Sequence, residues 1–83
     1  MPPARFTCPC CGYLTLHERR LGSYAVCPVC RWEDDPAQSR RPDLAGGANR
    51  MSLNAARANF LRIGAKSDRY LGTVRRPRDD ERP

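Results

Sequence analysis

The clearest periodic pattern lies in the C-terminal half of the chain, where apolar residues recur at intervals of three and four. The stripe consists of Leu53, Ala56, Phe60 and Ile63. Such spacing places the apolar side chains on one face of a helix. Ser52 is a suitable N-cap, because its hydroxyl can accept a backbone N–H of the first turn. Gly64 supplies the left-handed residue that ends a helix. The pattern therefore predicts one helix over residues 52–64.

Short apolar segments on either side of a turn precede this helix. Tyr13–Leu16 and Tyr24–Val26 are separated by polar residues that include Gly22, an arrangement typical of a β-hairpin with its turn around Arg20–Ser23. We expect the helix to pack across this hairpin. The predicted core consists of Leu14, Leu16, Val26, Trp32, Leu53, Ala56, Phe60 and Ile63.

The remaining segments lack apolar periodicity. Residues 33–51 are predicted to form a long ordered loop, since connectors of this length are usually mobile or functional. Within it, Glu33, Asp34 and Asp35 are expected to pair with arginines rather than to catalyse, and "DDP" is an ordinary turn signal. The end of the chain, "VRRPRDDERP", is charged and proline-rich. We predict one domain over residues 1–76 and a disordered charged tail over 77–83.

A chain of 83 residues with 40% hydrophobic residues buries only a thin core, so a metal or disulfides are needed to complete its stability. No apolar stretch approaches the roughly 18 residues of a membrane span. The sequence thus predicts a cytoplasmic protein without membrane association, whose thiols stay reduced. The five cysteines are an odd number, which also favours a metal site over a disulfide framework.

A short internal repeat defines that site. "CPCCG" and "CPVCR" both follow the template Cys-Pro-x-Cys, and together they give the spacing C-x2-C-x15-C-x2-C. This spacing is typical of tetrahedral zinc sites in zinc ribbons and rubredoxin-like knuckles. Alignment of the two knuckles pairs Cys8 with Cys27 and Cys11 with Cys30. The predicted ligands are Cys8, Cys11, Cys27 and Cys30, and the alternative places Cys10 in the site instead of Cys8 or Cys11.

The predicted cofactor is one structural Zn²⁺, with iron as the less favoured occupant of the same ligand set. Four protein ligands leave no position for water, and no catalytic constellation is identifiable, so we expect the chain not to be an enzyme. Together these predictions define a small metal-stabilised α+β domain, with zinc-ribbon or rubredoxin-like knuckles on a β-hairpin and one C-terminal helix.

Cys10 is left over by the alignment, where it corresponds to Val29. Its side chain is expected to point away from the metal. The sharper hypothesis makes Cys10 a redox thiol or an exchangeable ligand, with its pKa lowered by the metal centre.

The formal charge is +6. Four thiolates and one Zn²⁺ add −2, which leaves about +4 on the loaded chain. The excess of arginine is compatible with nucleic-acid binding, but the codon bias of a GC-rich genome produces the same composition and is the slightly preferred explanation. The function predicted is a macromolecular interaction module with a nucleic-acid or protein partner, and the alternative is a thiol-redox or metal-sensing protein that uses Cys10. The candidate binding surface comprises Arg19, Arg20, Arg31, Trp32 and Asn49.

Four motifs in this order, "CPCCGYLTL", "CPVCRWEDD", "GGANRMSLNAARANF" and "GA", resemble the small bacterial cysteine-rich CPCC family over about residues 6–76. The resemblance implies a zinc-ribbon-like domain and supports the metal site at the four predicted ligands. It implies no biochemical activity. It also draws attention to Trp32, Glu33, Asp34, Asp35, Gly46, Gly47, Asn49, Ser52 and Asn59.

Overall fold

The computed structural model describes residues 5–17 and 22–83. Its regular elements are two short strands, two helices and two 3-10 turns. The α+β class and the C-terminal helix of the prediction are confirmed, and the structure contains a two-stranded antiparallel hairpin. Within the described ranges, no helix combines the length and apolar character that crossing a bilayer requires.

The hairpin, however, has a different partner from the predicted one. Strand β1 (Phe6–Thr7) pairs antiparallel with strand β2 (Leu14–Leu16), and the register places Phe6 opposite Leu16. The prediction that Tyr24–Val26 forms the second strand is wrong. The first Cys-Pro-x-Cys knuckle itself reverses the chain, so the segment that precedes it is already adjacent to β2.

Tyr24–Val26 instead belongs to a second, shorter ladder around the other knuckle. Val26 bridges Glu33 in antiparallel fashion. The N–H of Tyr24 donates to the carbonyl of Asp34, and the N–H of Asp34 donates to the carbonyl of Ala25, each at 2.9 Å. Each knuckle therefore closes its own hairpin. The predicted turn around Arg20–Ser23 lies partly outside the described residues.

The long loop contains a short helix that the sequence analysis did not predict. Helix α1 (Pro36–Arg40) begins at Asp35, whose carboxylate accepts the N–H groups of Ala37 and Gln38. An aspartate N-cap followed by proline at the first helical position is a known start signal. "DDP" is equally an ordinary turn signal, and α1 is too short to show a periodic apolar stripe.

Helix α2 (Leu53–Ile63) lies where the apolar stripe predicts it. The Ser52 hydroxyl accepts the N–H of Ala55 at 3.1 Å, and Gly64 ends the helix in the left-handed conformation with φ of 84°. Phe60 packs edge-to-face on Tyr13, with their ring centroids 6.2 Å apart. The helix thereby contacts the residue that immediately precedes β2.

The core is built around the knuckles rather than around the hairpin. Of the predicted core residues, Leu16, Trp32, Leu53 and Ala56 are buried, and Leu14, Phe60 and Ile63 are partly buried. Val26 is 42% exposed, because the bridge to Glu33 turns it outward, and its assignment to the core is wrong. The core cluster is completed by Cys8, Cys10, Cys27, Val29 and Cys30.

The C-terminal segment makes hydrogen bonds within itself and to Arg5. Asp79–Glu81 form a 3-10 turn, and Glu81 is buried. Arg75 donates two hydrogen bonds of 2.8 Å to the Glu81 carboxylate, and the N–H of Arg78 donates a third. A count of charges along the sequence favours disorder, but in the structure the opposite charges of Arg75 and Glu81 pair with each other.

Candidate metal centre

The two knuckles share one backbone geometry. In the first, the N–H of Gly12 donates to the carbonyl of Cys8 at 2.9 Å; in the second, the N–H of Arg31 donates to the carbonyl of Cys27 at 2.8 Å. These tight turns direct the two thiols of each knuckle toward the same side. The internal repeat seen in the sequence is thus also a structural repeat.

The residue after the second cysteine of each knuckle has a positive φ. Gly12 has φ of 82° and Arg31 has φ of 72°. Glycine adopts this conformation without strain, whereas for arginine it costs about 1 kcal/mol. The second knuckle therefore carries strain that the first does not.

The structure brings the four predicted ligands into one cluster. The sulfur atoms of Cys8, Cys11, Cys27 and Cys30 all lie within 4.8 Å of one another. Cys8, Cys27 and Cys30 are fully buried, and Cys11 is partly buried. Each close sulfur pair joins the two knuckles: Cys8 to Cys30 and Cys11 to Cys27, both at 3.7 Å.

This spacing fits a tetrahedral metal. Metal–sulfur bonds of about 2.3 Å in a regular tetrahedron separate the sulfur atoms by about 3.8 Å. The two shortest separations of 3.7 Å nearly equal that value. Four cysteines on two knuckles therefore form a centre that could hold one metal ion. The spacing alone does not distinguish zinc from iron, because both form thiolate bonds of similar length.

Groups around the sulfurs add hydrogen bonds to the centre. The Oγ1 atom of Thr15 lies 2.9 Å from the Sγ of Cys27, and the N–H of Trp32 donates to the Sγ of Cys30 at 3.4 Å. The N–H of Lys66 donates to the carbonyl of Cys30 at 2.8 Å. Such contacts fix the orientation of ligating side chains and stabilise negative charge on sulfur.

Without a cation, the four clustered thiols cannot all ionise. The pKa of Cys8 is raised chiefly by its hydrogen bond with Cys11, that of Cys11 by Cys27, and that of Cys30 by Cys10, and burial raises all three. The pKa of Cys27 is lowered, since Cys11 and the other thiols donate hydrogen bonds to its thiolate. A divalent metal that binds here must displace protons from the remaining thiols.

Cys10 lies outside the four-cysteine group but is not remote from it. Its side chain is buried in the core, and its hydrogen bonding is the largest cause of the raised pKa of Cys30. It occupies the position that Val29 holds in the second knuckle, and Val29 is buried as well. Cys10 therefore packs as a small core residue close to Cys30.

Two residues of the predicted binding surface are buried. Trp32 and Asn49 are both 0% exposed, so neither can touch a partner, and their assignment to a surface is wrong. The large apolar ring of Trp32 is packed inside the core cluster. Arg31 is partly buried. Arg19 and Arg20 lie outside the described residues.

Asn49 instead belongs to a buried polar network. Its amide accepts from the N–H of Glu33 and donates to the carbonyl of the same residue, at 2.9 and 2.8 Å. It also donates to the Oε1 of Gln38 and accepts from the Nζ of Lys66, at 2.9 and 2.8 Å. Sequence reasoning missed Gln38 and Lys66, because long polar side chains are usually exposed and no pattern marks them as buried.

Two neighbouring aspartates tie the loop to this network. Asp34 accepts hydrogen bonds from Gly22 and Ser39, and Asp35 caps α1. The pKa of Asp35 is lowered, chiefly because the N–H of Ala48 donates to its carboxylate. The acidic run thus organises backbone, and its ion pairing with arginines stays a prediction only for Glu33.

The fold and the cluster together define a small cysteine-rich protein with a site for one metal ion between two knuckles. The chain belongs to the cysteine-rich CPCC family, whose model matches residues 6–81. No curated protein matches the chain significantly.

Proposed function

We propose that this chain is a structural zinc protein that acts as a cytoplasmic interaction module for a macromolecular partner. One observation carries the metal assignment, namely the approach of four cysteine sulfurs to within 4.8 Å in a buried cluster. Zinc is the preferred occupant because closed four-cysteine sites are its usual structural environment. Cys8, Cys11, Cys27 and Cys30 would hold the ion.

A structural role follows from the closure of the site. All four positions of a tetrahedral ion would be filled by protein sulfur, so no position is left for water or substrate. The cluster also joins the two hairpins, and the core packs directly against it. The metal would therefore supply the cross-link that so small a core requires.

The test of the metal assignment compares the intact mass in native and denaturing solvents. One bound zinc should appear in the native spectrum and be lost on denaturation, and a strong chelator should abolish the native circular dichroism. Cys11→Ser should weaken zinc binding severely, while the matched variant Cys10→Ser should keep one zinc per chain. A chain that keeps its fold after metal removal would contradict the proposal, and bound iron would redirect it toward redox chemistry.

Two surface features support an interaction role. Leu61 is 87% and Tyr24 is 55% exposed, so both offer apolar surface to a partner. The net charge is +6 before metal binding, which suits an anionic partner.

The identity of the partner class is tested by salt. Binding to duplex DNA or RNA should weaken steeply as salt rises, since each phosphate contact releases counterions. Binding to a protein through apolar contacts should persist at high salt. Failure to bind any macromolecule while the metal-loaded fold is intact would remove the interaction role but leave the metal assignment standing.

A further inference from the structure

An apolar cleft of about 370 Å³ lies between the end of α2 and the C-terminal segment. Phe60 and Ile63 line the helix side, Leu71 and Val74 line the other side, and Val29 of the second knuckle lines it from within the core. Leu71 lines this cleft, and 47% of the residue is exposed to solvent. The volume falls in the lower part of the range of about 300–1,000 Å³ for ligand pockets.

The charged lining of this cleft is of one sign. Arg75 and Arg76 line it, and no acidic residue within 5–17 or 22–83 does. Arg75 is held by its two hydrogen bonds to Glu81. Arg76 is exposed, and its guanidinium makes no ion pair with any residue in 5–17 or 22–83. A ligand that fills the apolar part and carries a carboxylate at its end would complement both features.

The cleft is attached to the metal centre. The N–H of Arg75 donates to the carbonyl of Pro28 at 3.2 Å, and Val29 lies between the two cysteines of that knuckle. The cleft therefore depends on the knuckle that Cys27 and Cys30 hold in place.

From these observations we infer that the cleft docks an acidic segment of a partner protein, in which aliphatic side chains are followed by carboxylates. The aliphatic side chains enter between Ile63 and Leu71, and a carboxylate pairs with Arg76. This inference rests on the interaction role proposed above and assigns it a surface and a partner chemistry. Apolar surface favours a peptide over nucleic acid here, because phosphate backbones offer nothing to fill an aliphatic cleft.

The test uses the zinc-loaded full chain and a fluorescein-labelled peptide with two adjacent leucines followed by two aspartates. We expect saturable binding by fluorescence anisotropy and at least about tenfold weaker binding when lysines replace the aspartates. Arg76→Glu should weaken binding by about tenfold or more. The matched reversal Arg69→Glu changes net charge equally at an exposed residue that does not line the cleft, and should change affinity by no more than about twofold.

A second pair of variants tests the apolar part. Leu71→Ser removes a lining side chain, whereas Leu61→Ser removes an even more exposed leucine that does not line the cleft. Only Leu71→Ser should weaken binding. Equal effects of the two variants within either pair would overturn the inference. It would also be overturned if short duplex DNA displaced the peptide and Arg76→Glu did not weaken peptide binding.

Metal content and circular dichroism are measured on the same samples. Absence of peptide binding by a folded, zinc-loaded chain rejects the cleft but not the structural zinc site. A chain that holds no metal and remains folded rejects the proposed zinc role instead.

Discussion

The hydroxyl oxygen of Thr15 lies 2.9 Å from the sulfur of Cys27, so a side chain of the first hairpin contacts a thiol of the second knuckle. Both groups are buried. When Cys27 is a thiolate, Thr15 donates the hydrogen bond, because the ionised sulfur has no proton to give. The contact links the two halves of the repeat independently of any metal ion that the cysteines hold.

Loss of this hydroxyl should weaken the metal centre. Thr15→Val keeps the shape of the side chain but removes the donor, and substitutions around metal ligands typically lower affinity by about 10–100-fold. We expect a loss in this range, measured by competition with a chromophoric zinc chelator. Thr7→Val is the matched control on the neighbouring strand, where the side chain is exposed. Equal affinity of both variants and the natural protein would show that Thr15 does not support the thiolate.

The paired positions Gly12 and Arg31 give a second prediction. Both have positive φ, and a Cβ at Gly12 would meet nothing within 4 Å, so Gly12→Ala tests the backbone strain alone. It should destabilise the zinc-loaded fold by about 1 kcal/mol. Arg31→Gly should stabilise the fold by up to about 1 kcal/mol, because the same strain is released.

Arg31→Ala separates the backbone from the side chain. It removes the guanidinium but keeps the Cβ, so the difference between the alanine and glycine variants reports the strain. Thermal midpoints at a fixed excess of zinc provide the measurement. If the glycine variant is no more stable than the alanine variant, the second knuckle is not strained.

Local chemistry explains why the metal centre could be predicted from the sequence. A Cys-Pro-x-Cys knuckle determines its own turn, and the ligand spacing depends on few residues outside it. Helix α2 carries its cap, its apolar stripe and its terminating Gly64 within one short segment. Its position was therefore predictable as well.

Other features depend on contacts between distant residues. The partner of strand β2 could not be chosen from its own sequence, because Phe6–Thr7 and Tyr24–Val26 are both suitable β segments. The burial of Asn49 depends on Gln38 and Lys66, which lie 11 and 17 residues away. The order of the C-terminal segment depends on how Arg75 and Glu81 face each other, which net charge and proline content do not reveal.

The ion pair between Arg75 and Glu81 should stabilise the C-terminal segment. Glu81→Gln keeps the shape but removes the charge that accepts two bonds of 2.8 Å from Arg75. We expect a loss of about 1–2 kcal/mol, because hydrogen bonds to charged groups contribute about 1.5–3 kcal/mol and the partly exposed Arg75 is screened by solvent. Asp80→Asn is the matched control, because Asp80 is exposed and its pair with Arg5 should contribute little.

The effect of Glu81→Gln should depend on pH. The two bonds from Arg75, supported by the N–H of Arg78, lower the pKa of Glu81 from 4.5 to about 2. A carboxylate with a lowered pKa stabilises the fold fully above its ordinary pKa, and the contribution is lost as pH falls toward the folded-state value. The difference in thermal midpoint between the natural protein and Glu81→Gln should thus be constant above about pH 5.5 and shrink below it.

Protons also compete with zinc for the thiols in this range, so the two proteins are compared at each pH rather than across pH. A difference that stays constant down to pH 3 would contradict the lowered pKa.

The stability of the fold should fall more when Asn49 is replaced than when Lys66 is replaced. Asn49→Leu leaves the N–H of Glu33 and the buried ammonium of Lys66 without their acceptor, at about 1–3 kcal/mol for a neutral group and more for a charged one. We expect a total loss of at least about 3 kcal/mol. Asn54→Leu, an exposed substitution on α2, is the control for the added apolar side chain and should have little effect.

Lys66→Met should cost much less than Asn49→Leu. It removes a buried ammonium while keeping an unbranched apolar stem, and the Oδ1 of Asn49 keeps its hydrogen bond from Glu33. Replacement of a buried charge by an apolar side chain of similar size is often neutral, so we expect a change below about 1 kcal/mol in the zinc-loaded protein, measured by thermal unfolding. A loss as large as that of Asn49→Leu would instead show that the ammonium offsets the negative charge of the thiolate centre, to which the backbone of Lys66 is bonded through Cys30. Zinc affinity separates the two cases, because only an electrostatic role would lower it in proportion to the loss of stability.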